Sequence, residues 1–190
     1  MIGVKMKNEQ GFTLVEIVVS LGIFAMLVVV MGGIFGNVIA SQRSAIASKN
    51  VGESLSYAME VITKELRSAR RDAFEGNASC PDVEDGRMYS SSTAPTALTF
   101  QNKDQYCIKY YIENQTLMME RASSTDMSDV IIASTTSSRI KVTDLKFKIT
   151  DEDYLQPLVT FRIEAESDKS VNKQKTAVQT TVSSRSYEHN

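Results

Sequence analysis

A short string near the amino terminus combines residue types that suit proteolytic processing and charge pairing. Gly11 and Phe12 form a small-residue junction between a polar leader and a long apolar segment, and Glu16 is the only ionisable side chain between Gly11 and Arg43. A carboxylate inside a bilayer costs about 3 kcal/mol on insertion scales, so Glu16 requires a positive partner. No residue of the apolar segment itself supplies one.

Cleavage between Gly11 and Phe12 would create such a partner. The new α-amino group would lie four residues before Glu16 on the same helical face, but groups at one helix end pair poorly with each other. A neighbouring copy or a related subunit, shifted along the helix axis, could bring its own amino terminus to Glu16. The spacing therefore predicts a cleavage junction and an assembly carboxylate that act together.

The element that must position these residues is the apolar segment from Phe12 to about Ala40. It runs for roughly 30 residues without Pro, longer than the ~20 that span a hydrocarbon core. Secretory signals have apolar cores of only ~7 to 15 residues and a cleavage site after them, whereas here the small-residue junction comes first. We therefore predict a cleaved leader at residues 1–11 and a retained transmembrane helix at residues 12–40.

The charges of the leader predict the orientation of this helix. Lys5 and Lys7 outweigh Glu9, which favours a cytoplasmic amino terminus and a single-pass protein of the inner or cytoplasmic membrane with its head outside. Cys80 and Cys107, the only cysteines, would then meet an oxidising environment with only each other as partner, which favours a disulfide. The alternative is two unpaired thiols, one of them buried in a strand.

The remaining sequence predicts an α+β fold, with an antiparallel sheet packed on the amphipathic half of one long helix. Apolar residues first recur at helical spacing, which extends the helix to about Ala73 and makes residues 41–75 the spine of the head. Residues 76–190 then form its β-sheet part. The helical stripe consists of Val51, Leu55, Met59, Ile62, Leu66 and Ala69. Alternating or apolar runs predict strands at 98–100, 106–112, 116–121, 130–133, 142–150, 158–166 and 177–184.

Other chemistry has little support in the sequence. The only histidine is His189, and no glycine-rich phosphate loop follows a strand, so neither an enzyme site nor a cofactor is predicted. Two acidic clusters could donate oxygens to Ca²⁺, although neither fits the EF-hand pattern and solvated loops explain them equally well. These clusters are Asp82, Glu84 and Asp85, and Asp151, Glu152 and Asp153.

Nucleic acid is not an expected partner. The formal net charge is -2, so the chain has no bulk attraction to a polyanion. A small basic patch for DNA is conceivable in the head, but a scattered charged surface is the better interpretation. The residues concerned are Lys169, Lys173, Lys175 and Arg185.

The string Gly11-Phe12-Thr13-Leu14-Val15-Glu16 after a short basic leader closely resembles the class III signal of type IV pilins and type II secretion pseudopilins. The resemblance implies that a membrane-embedded aspartyl prepilin peptidase cuts after Gly11 and N-methylates Phe12. It also implies that Glu16 meets a neighbour's amino terminus during assembly. The implied partners are other pilin or pseudopilin subunits, an inner-membrane assembly platform, and lipid before assembly.

The head is more loosely similar to two subgroups of this family. The segment from Tyr106 to Arg121 and the closing segment from Gln179 to Arg185 look like parts of J-type minor pseudopilins and W-type minor pilins. Many pilins have a Pro in the transmembrane half. This chain has Gly32, Gly33 and Gly36 there instead, and glycine can also loosen a helix. The resemblance implies a minor structural subunit of a pilus or pseudopilus. The alternatives are a single-pass membrane-anchored binding domain without assembly and a secreted enzyme.

Overall fold

A computed structural model describes residues 11–71, 80, 82–83, 87–91, 96–123, 129–150, 156–168 and 173–185. One long helix is followed by antiparallel strands, which confirms the predicted α+β class. The chain divides into two compact units, residues 1–43 and 44–190. The helix α1, Leu14–Arg67, contributes residues to both units.

The part of α1 in the first unit is apolar on every face. All described residues from 11 to 43 are exposed, although Leu, Ile, Val and Phe dominate this stretch. Among the described residues, α1 is the one helix long and apolar enough to cross a membrane. A helix whose apolar side chains have no protein to cover them on any side is suited to lipid. The first unit therefore fits membrane anchoring.

The part of α1 in the second unit buries a single face. The buried side chains recur at steps of three and four, as expected for a helix with one side against a core. The predicted stripe is correct at most of its positions, but Met59 is only partly buried because Ala58 takes the central place beside it. The buried residues are Ala47, Val51, Leu55, Ala58, Ile62 and Leu66.

The helix ends at Arg67, which is earlier than the predicted end near Ala73. The backbone N–H of Ser68 donates to the Glu65 carbonyl at 2.9 Å, a tightened final turn that closes the helix. Ala69–Arg70 then forms a short strand that pairs with another strand of the sheet. The predicted extension was wrong because this tertiary pairing satisfies backbone groups that a longer helix would otherwise have used.

The strands form two antiparallel sheets, where the sequence predicted one. The first has the order β1-β3-β4-β5-β6, with β2 also paired to β3, and the second has the order β7-β8-β9. Each predicted strand overlaps an observed one, but β1 and β2 were missed. The strands are β1 Ala69–Arg70, β2 Tyr89–Ser91, β3 Leu98–Asn102, β4 Tyr106–Glu113, β5 Thr116–Ser123, β6 Ile131–Ser134, β7 Ile140–Thr150, β8 Leu158–Ser167 and β9 Lys175–Ser183.

Both sheets contribute to one hydrophobic core with the buried face of α1. Phe147 and Phe161 lie on neighbouring strands with ring centroids 6.1 Å apart. The hydroxyl of Tyr89 donates to the carbonyl of Leu66 at 2.9 Å, which satisfies a carbonyl at the end of the helix inside the core. Burial also raises the pKa of the Tyr110 phenol well above its usual range, so this side chain stays neutral.

We expect Leu55→Ala to lower the free energy of unfolding of the second unit by about 2–5 kcal/mol, because it leaves a cavity in this core. Leu55 is fully buried on α1. Tyr57→Ala is the matched control, since Tyr57 is exposed on the same helix and its loss should change stability by no more than about 0.5 kcal/mol. Denaturant unfolding of the full chain in detergent, followed by circular dichroism, measures both. Equal losses in the two variants would contradict the assigned core.

Candidate processing and assembly site

The candidate site comprises the junction before α1 and the first turn of the helix. The hydroxyl of Thr13 accepts a hydrogen bond from the backbone N–H of Glu16 at 3.3 Å. In return, Oε2 of Glu16 accepts hydrogen bonds from the Thr13 backbone N–H at 3.3 Å and from the Thr13 hydroxyl at 3.4 Å. This reciprocal pairing of Thr with a Glu three residues later is a capping box, which satisfies backbone donors at a helix start.

The capping box explains why a helix with an apolar surface can begin next to a carboxylate. The first backbone N–H groups of a helix have no partner within the helix, and they carry partial positive charge. Glu16 lies in this first turn, where a negative charge is favourable. Polar groups of the chain thus solvate the Glu16 carboxylate in part, but within the described residues no cation lies at ion-pair distance from it. The first described cation along α1 is Arg43.

Sequence reasoning missed the role of Thr13. The detectable signal was the spacing Thr-x-x-Glu at the start of an apolar run. It lies inside the same short string that marks the junction. Glu16 therefore takes part in two patterns, one that begins the helix and one that predicts pairing with a neighbour.

The junction itself is accessible. Gly11 and Phe12 precede the helix, and the Phe12 side chain is 82% exposed. A Cβ built on Gly11 would meet no heavy atom within 4 Å. The fold of the chain therefore has no need of glycine at position 11, and any requirement for a small residue there has to come from a protein that binds the junction.

A disulfide joins Cys80 to Cys107, which confirms the predicted pairing over two unpaired thiols. Cys107 lies on β4, between core-facing neighbours such as Ile108, and forms a separate buried cluster with Cys80 and Val83. Beside it, Nζ of Lys109 lies 3.0 Å from Oδ2 of Asp82. The bond and the ion pair thus attach the segment around Cys80 to the face of the first sheet that points away from the main core.

Most residues of the two acidic clusters considered for Ca²⁺ lie outside the described part of the chain. Asp82 pairs with Lys109, while Glu84, Asp85 and the cluster 151–153 lie outside the described residues. No group of three or more His, Cys, Asp or Glu that could hold a metal ion occurs among the described residues. The leader, residues 1–10, and His189 also lie outside them.

The proposed basic patch is partly neutralised. Lys173 and Lys175 place Nζ at 2.9 Å and 3.9 Å from the carboxylate oxygens of Glu166. The hydrogen bond from Lys173 is the main reason that the pKa of the Glu166 carboxyl is lowered, so this carboxylate stays charged at neutral pH. Lys169 lies outside the described residues.

The apolar helix near the amino terminus, with an accessible junction before it, fits membrane anchoring. Residues 6–32 match the prokaryotic N-terminal methylation motif. This motif is the class III signal, the hallmark of type IV pilins and pseudopilins, and the match includes Gly11, Phe12 and Glu16. No curated protein matches the chain. The motif match covers only residues 6–32, and both this motif and the α+β architecture are features found in type IV pilins and pseudopilins.

We expect removal of the disulfide in a Cys80→Ser, Cys107→Ser double variant to lower the free energy of unfolding by about 3–4 kcal/mol. The bond closes a loop in the unfolded chain and so reduces the conformational entropy of the unfolded state. The two cysteines are 27 residues apart. Thermal unfolding of the oxidised chain with and without reductant should show the same loss. Reductant should leave the double variant unchanged. An unaltered melting temperature after complete reduction would contradict a stabilising role.

Proposed function

We propose that this chain is a minor structural subunit of a type IV pilus or a type II secretion pseudopilus, without enzymatic activity. The observation that carries the proposal is the match of residues 6–32, which includes both the junction and the carboxylate. That motif implies processing by a prepilin peptidase and assembly with other pilin subunits. The minor role rests on the loose sequence resemblance of two segments, Tyr106 to Arg121 and Gln179 to Arg185, to J-type minor pseudopilins and W-type minor pilins.

The first step is processing at Gly11. The chain is inserted with the leader in the cytoplasm and the second unit outside, as the charges of Lys5 and Lys7 favour. The peptidase hydrolyses the Gly11–Phe12 bond and leaves an α-amino group on Phe12, which is then methylated. Exposure of Phe12 and the open space around Gly11 support access of an enzyme to this bond.

The second step is pairing of that amino group with a neighbour's Glu16. Within the described residues, the Glu16 carboxylate accepts hydrogen bonds from the backbone N–H and the hydroxyl of Thr13. A protonated amino terminus is a stronger partner, because it adds the Coulomb attraction of a full opposite charge, and this attraction is larger in a medium of low dielectric. The carboxylate therefore favours subunits whose leader has been removed, and helix packing then holds the filament together.

A membrane-anchored binding domain that does not assemble is the second candidate function. A cavity of about 480 Å³ lies on the second unit. Its described lining includes the cations Lys64, Arg67 and Arg185 and the acidic residue Glu60. Such a surface suits an anionic ligand. This function requires neither cleavage after Gly11 nor methylation of Phe12, so mass spectrometry of the native amino terminus separates the two candidates.

Gly11→Leu is expected to slow removal of the leader at least about tenfold, equivalent to ~1.4 kcal/mol of transition-state stabilisation. The fold tolerates a larger side chain here, so the effect would arise in the peptidase complex. Gly22→Leu is the matched control, since a Cβ at Gly22 also meets nothing within 4 Å. Intact mass spectrometry of both variants from cells with the peptidase gives the cleaved fraction. A normally cleaved Gly11→Leu chain would refute the proposed junction.

Glu16→Gln separates charge pairing from helix capping, because Gln also serves at the third position of a capping box. We expect normal cleavage and normal helix content but at least about tenfold less chain in sheared filaments, since the amide has no charge to offer a neighbour's amino group. Glu53→Gln, at an exposed position on the same helix, is the control. Filament content is measured by immunoblotting. Incorporation of Glu16→Gln at the normal level would rule out the charge-pairing role.

A further inference from the structure

One edge of the first sheet exposes apolar side chains. Strand β6 pairs with β5 and with no other described strand. Val130, Ile131 and Ile132 are 50%, 53% and 55% exposed. Among the described residues of the second unit, they form the only run of three consecutive exposed large apolar side chains. Soluble proteins usually protect such edges with charge, Pro or a bulge, and β6, with the sequence Ile-Ile-Ala-Ser, has no charge and no Pro.

The register of β6 determines which backbone groups face the free edge. The N–H of Thr135 donates to the Leu117 carbonyl at 2.8 Å, so this position is a hydrogen-bonded pair. Hydrogen-bonded and non-hydrogen-bonded pairs alternate along antiparallel strands. Ala133 is therefore bonded toward β5, whereas Ile132 and Ser134 direct their N–H and C=O groups away from it. The edge thus offers donors and acceptors on the same short segment that exposes apolar side chains.

We propose that this edge pairs with the same edge of a second copy of the chain, β6 against β6 in antiparallel orientation, with Ile132 at the twofold axis. In this register Ile131 faces the second copy's Ala133, and Val130 faces its Ser134. Ile132 exchanges backbone hydrogen bonds with the second copy's Ile132, and Ser134 exchanges them with its Val130. The same patch serves on both copies, as a twofold interface requires.

Charge favours this register. Asp129, the acidic residue next to the strand, has a positive φ of 54°, so the chain turns there and the extended segment begins at Val130. Opposite the Asp129 side chain lies the second copy's Thr135, not a second carboxylate. Like charges directly opposite each other are destabilising in a sheet, and this pairing has none.

The interface is small, which determines where it can act. A four-residue strand buries far less than the roughly 1,000 Å² that a stable free dimer needs. Copies held together by their membrane-anchored helices have a high effective concentration. At such a concentration even a weak contact between two copies is formed most of the time. The contact uses neither Gly11 nor Glu16. A negative result for the β6 contact would therefore not contradict processing at Gly11 or pairing at Glu16. A negative result for those two steps would likewise not contradict the β6 contact.

Cysteine cross-linking tests the register directly. Val130→Cys chains and Ser134→Cys chains are reconstituted, separately and mixed, in phosphatidylcholine vesicles and oxidised mildly. The two native cysteines are bonded to each other, so the introduced thiol is the one that reacts. We expect the mixture to yield at least about tenfold more disulfide dimer than either chain alone, because only residues 130 and 134 are opposed. Absence of dimers, or equal yields in all three samples, would overturn the proposal.

Proline substitution tests the backbone groups. Ile132→Pro in both cysteine chains removes an N–H that β5 does not use, so we expect dimers to disappear without a fall in melting temperature. Ile132→Val keeps the N–H and should keep the dimers. Ala133→Pro removes an N–H that β5 uses and should lower the melting temperature, which checks the assigned register. Dimers that persist in Ile132→Pro at an unchanged yield would contradict strand pairing.

Discussion

The cost of a carboxylate in an apolar helix is the constraint on which the amino-terminal part of this protein depends. Glu16 is the only ionisable side chain between Gly11 and Arg43, in a segment that otherwise consists mainly of apolar residues. The capping box with Thr13 reduces this cost by giving the carboxylate polar partners, yet it leaves the charge itself uncompensated. Net contributions of such hydrogen bonds are about 1.5–3 kcal/mol when one partner is charged. A cation beside Glu16 would lower this cost further.

The same helix meets two different demands along its length. Up to Arg43 every face is apolar and exposed, whereas in the second unit only one face is apolar and it is buried. Lipid surrounds a helix on all sides, while a protein core covers one side, so the two patterns follow from the two surroundings. Leu55 and Ile62 belong to the second pattern, and their burial gives the sheets a surface to pack on.

Features that depend on local periodicity could be predicted from the sequence. The transmembrane stretch, the buried stripe and the strand that includes Ile108 and Tyr110 all have the expected residue spacing. The disulfide followed from the expected compartment and from the lack of any other partner for Cys80 and Cys107.

Features that depend on long-range pairing could not be predicted. Ala69 continues the helical stripe in sequence, and it is buried whether the chain stays helical or forms β1, so its periodicity does not distinguish the two. The division into two sheets depends on which strands pair. The alternation of apolar and polar residues along a strand does not indicate its pairing partner. At the candidate site, the junction and Glu16 could be named in advance, because their types and spacing are unusual in an apolar run. The capping role of Thr13 was also detectable from the Thr-x-x-Glu spacing, although it was missed.

The unprotected edge of the first sheet stands out against the edges of the second. The outer strands of the second sheet expose charged residues, such as Lys146 and Lys148 on β7 and Lys175 on β9. Exposed lysines on an edge disfavour pairing with another chain, since a partner strand would have to desolvate them. The chain therefore has the usual protection at both edges of one sheet and lacks it at β6. An exposed apolar edge is an aggregation liability, so its presence at β6, while the outer strands of the other sheet carry exposed lysines, favours the proposed partner strand over an incidental exposure.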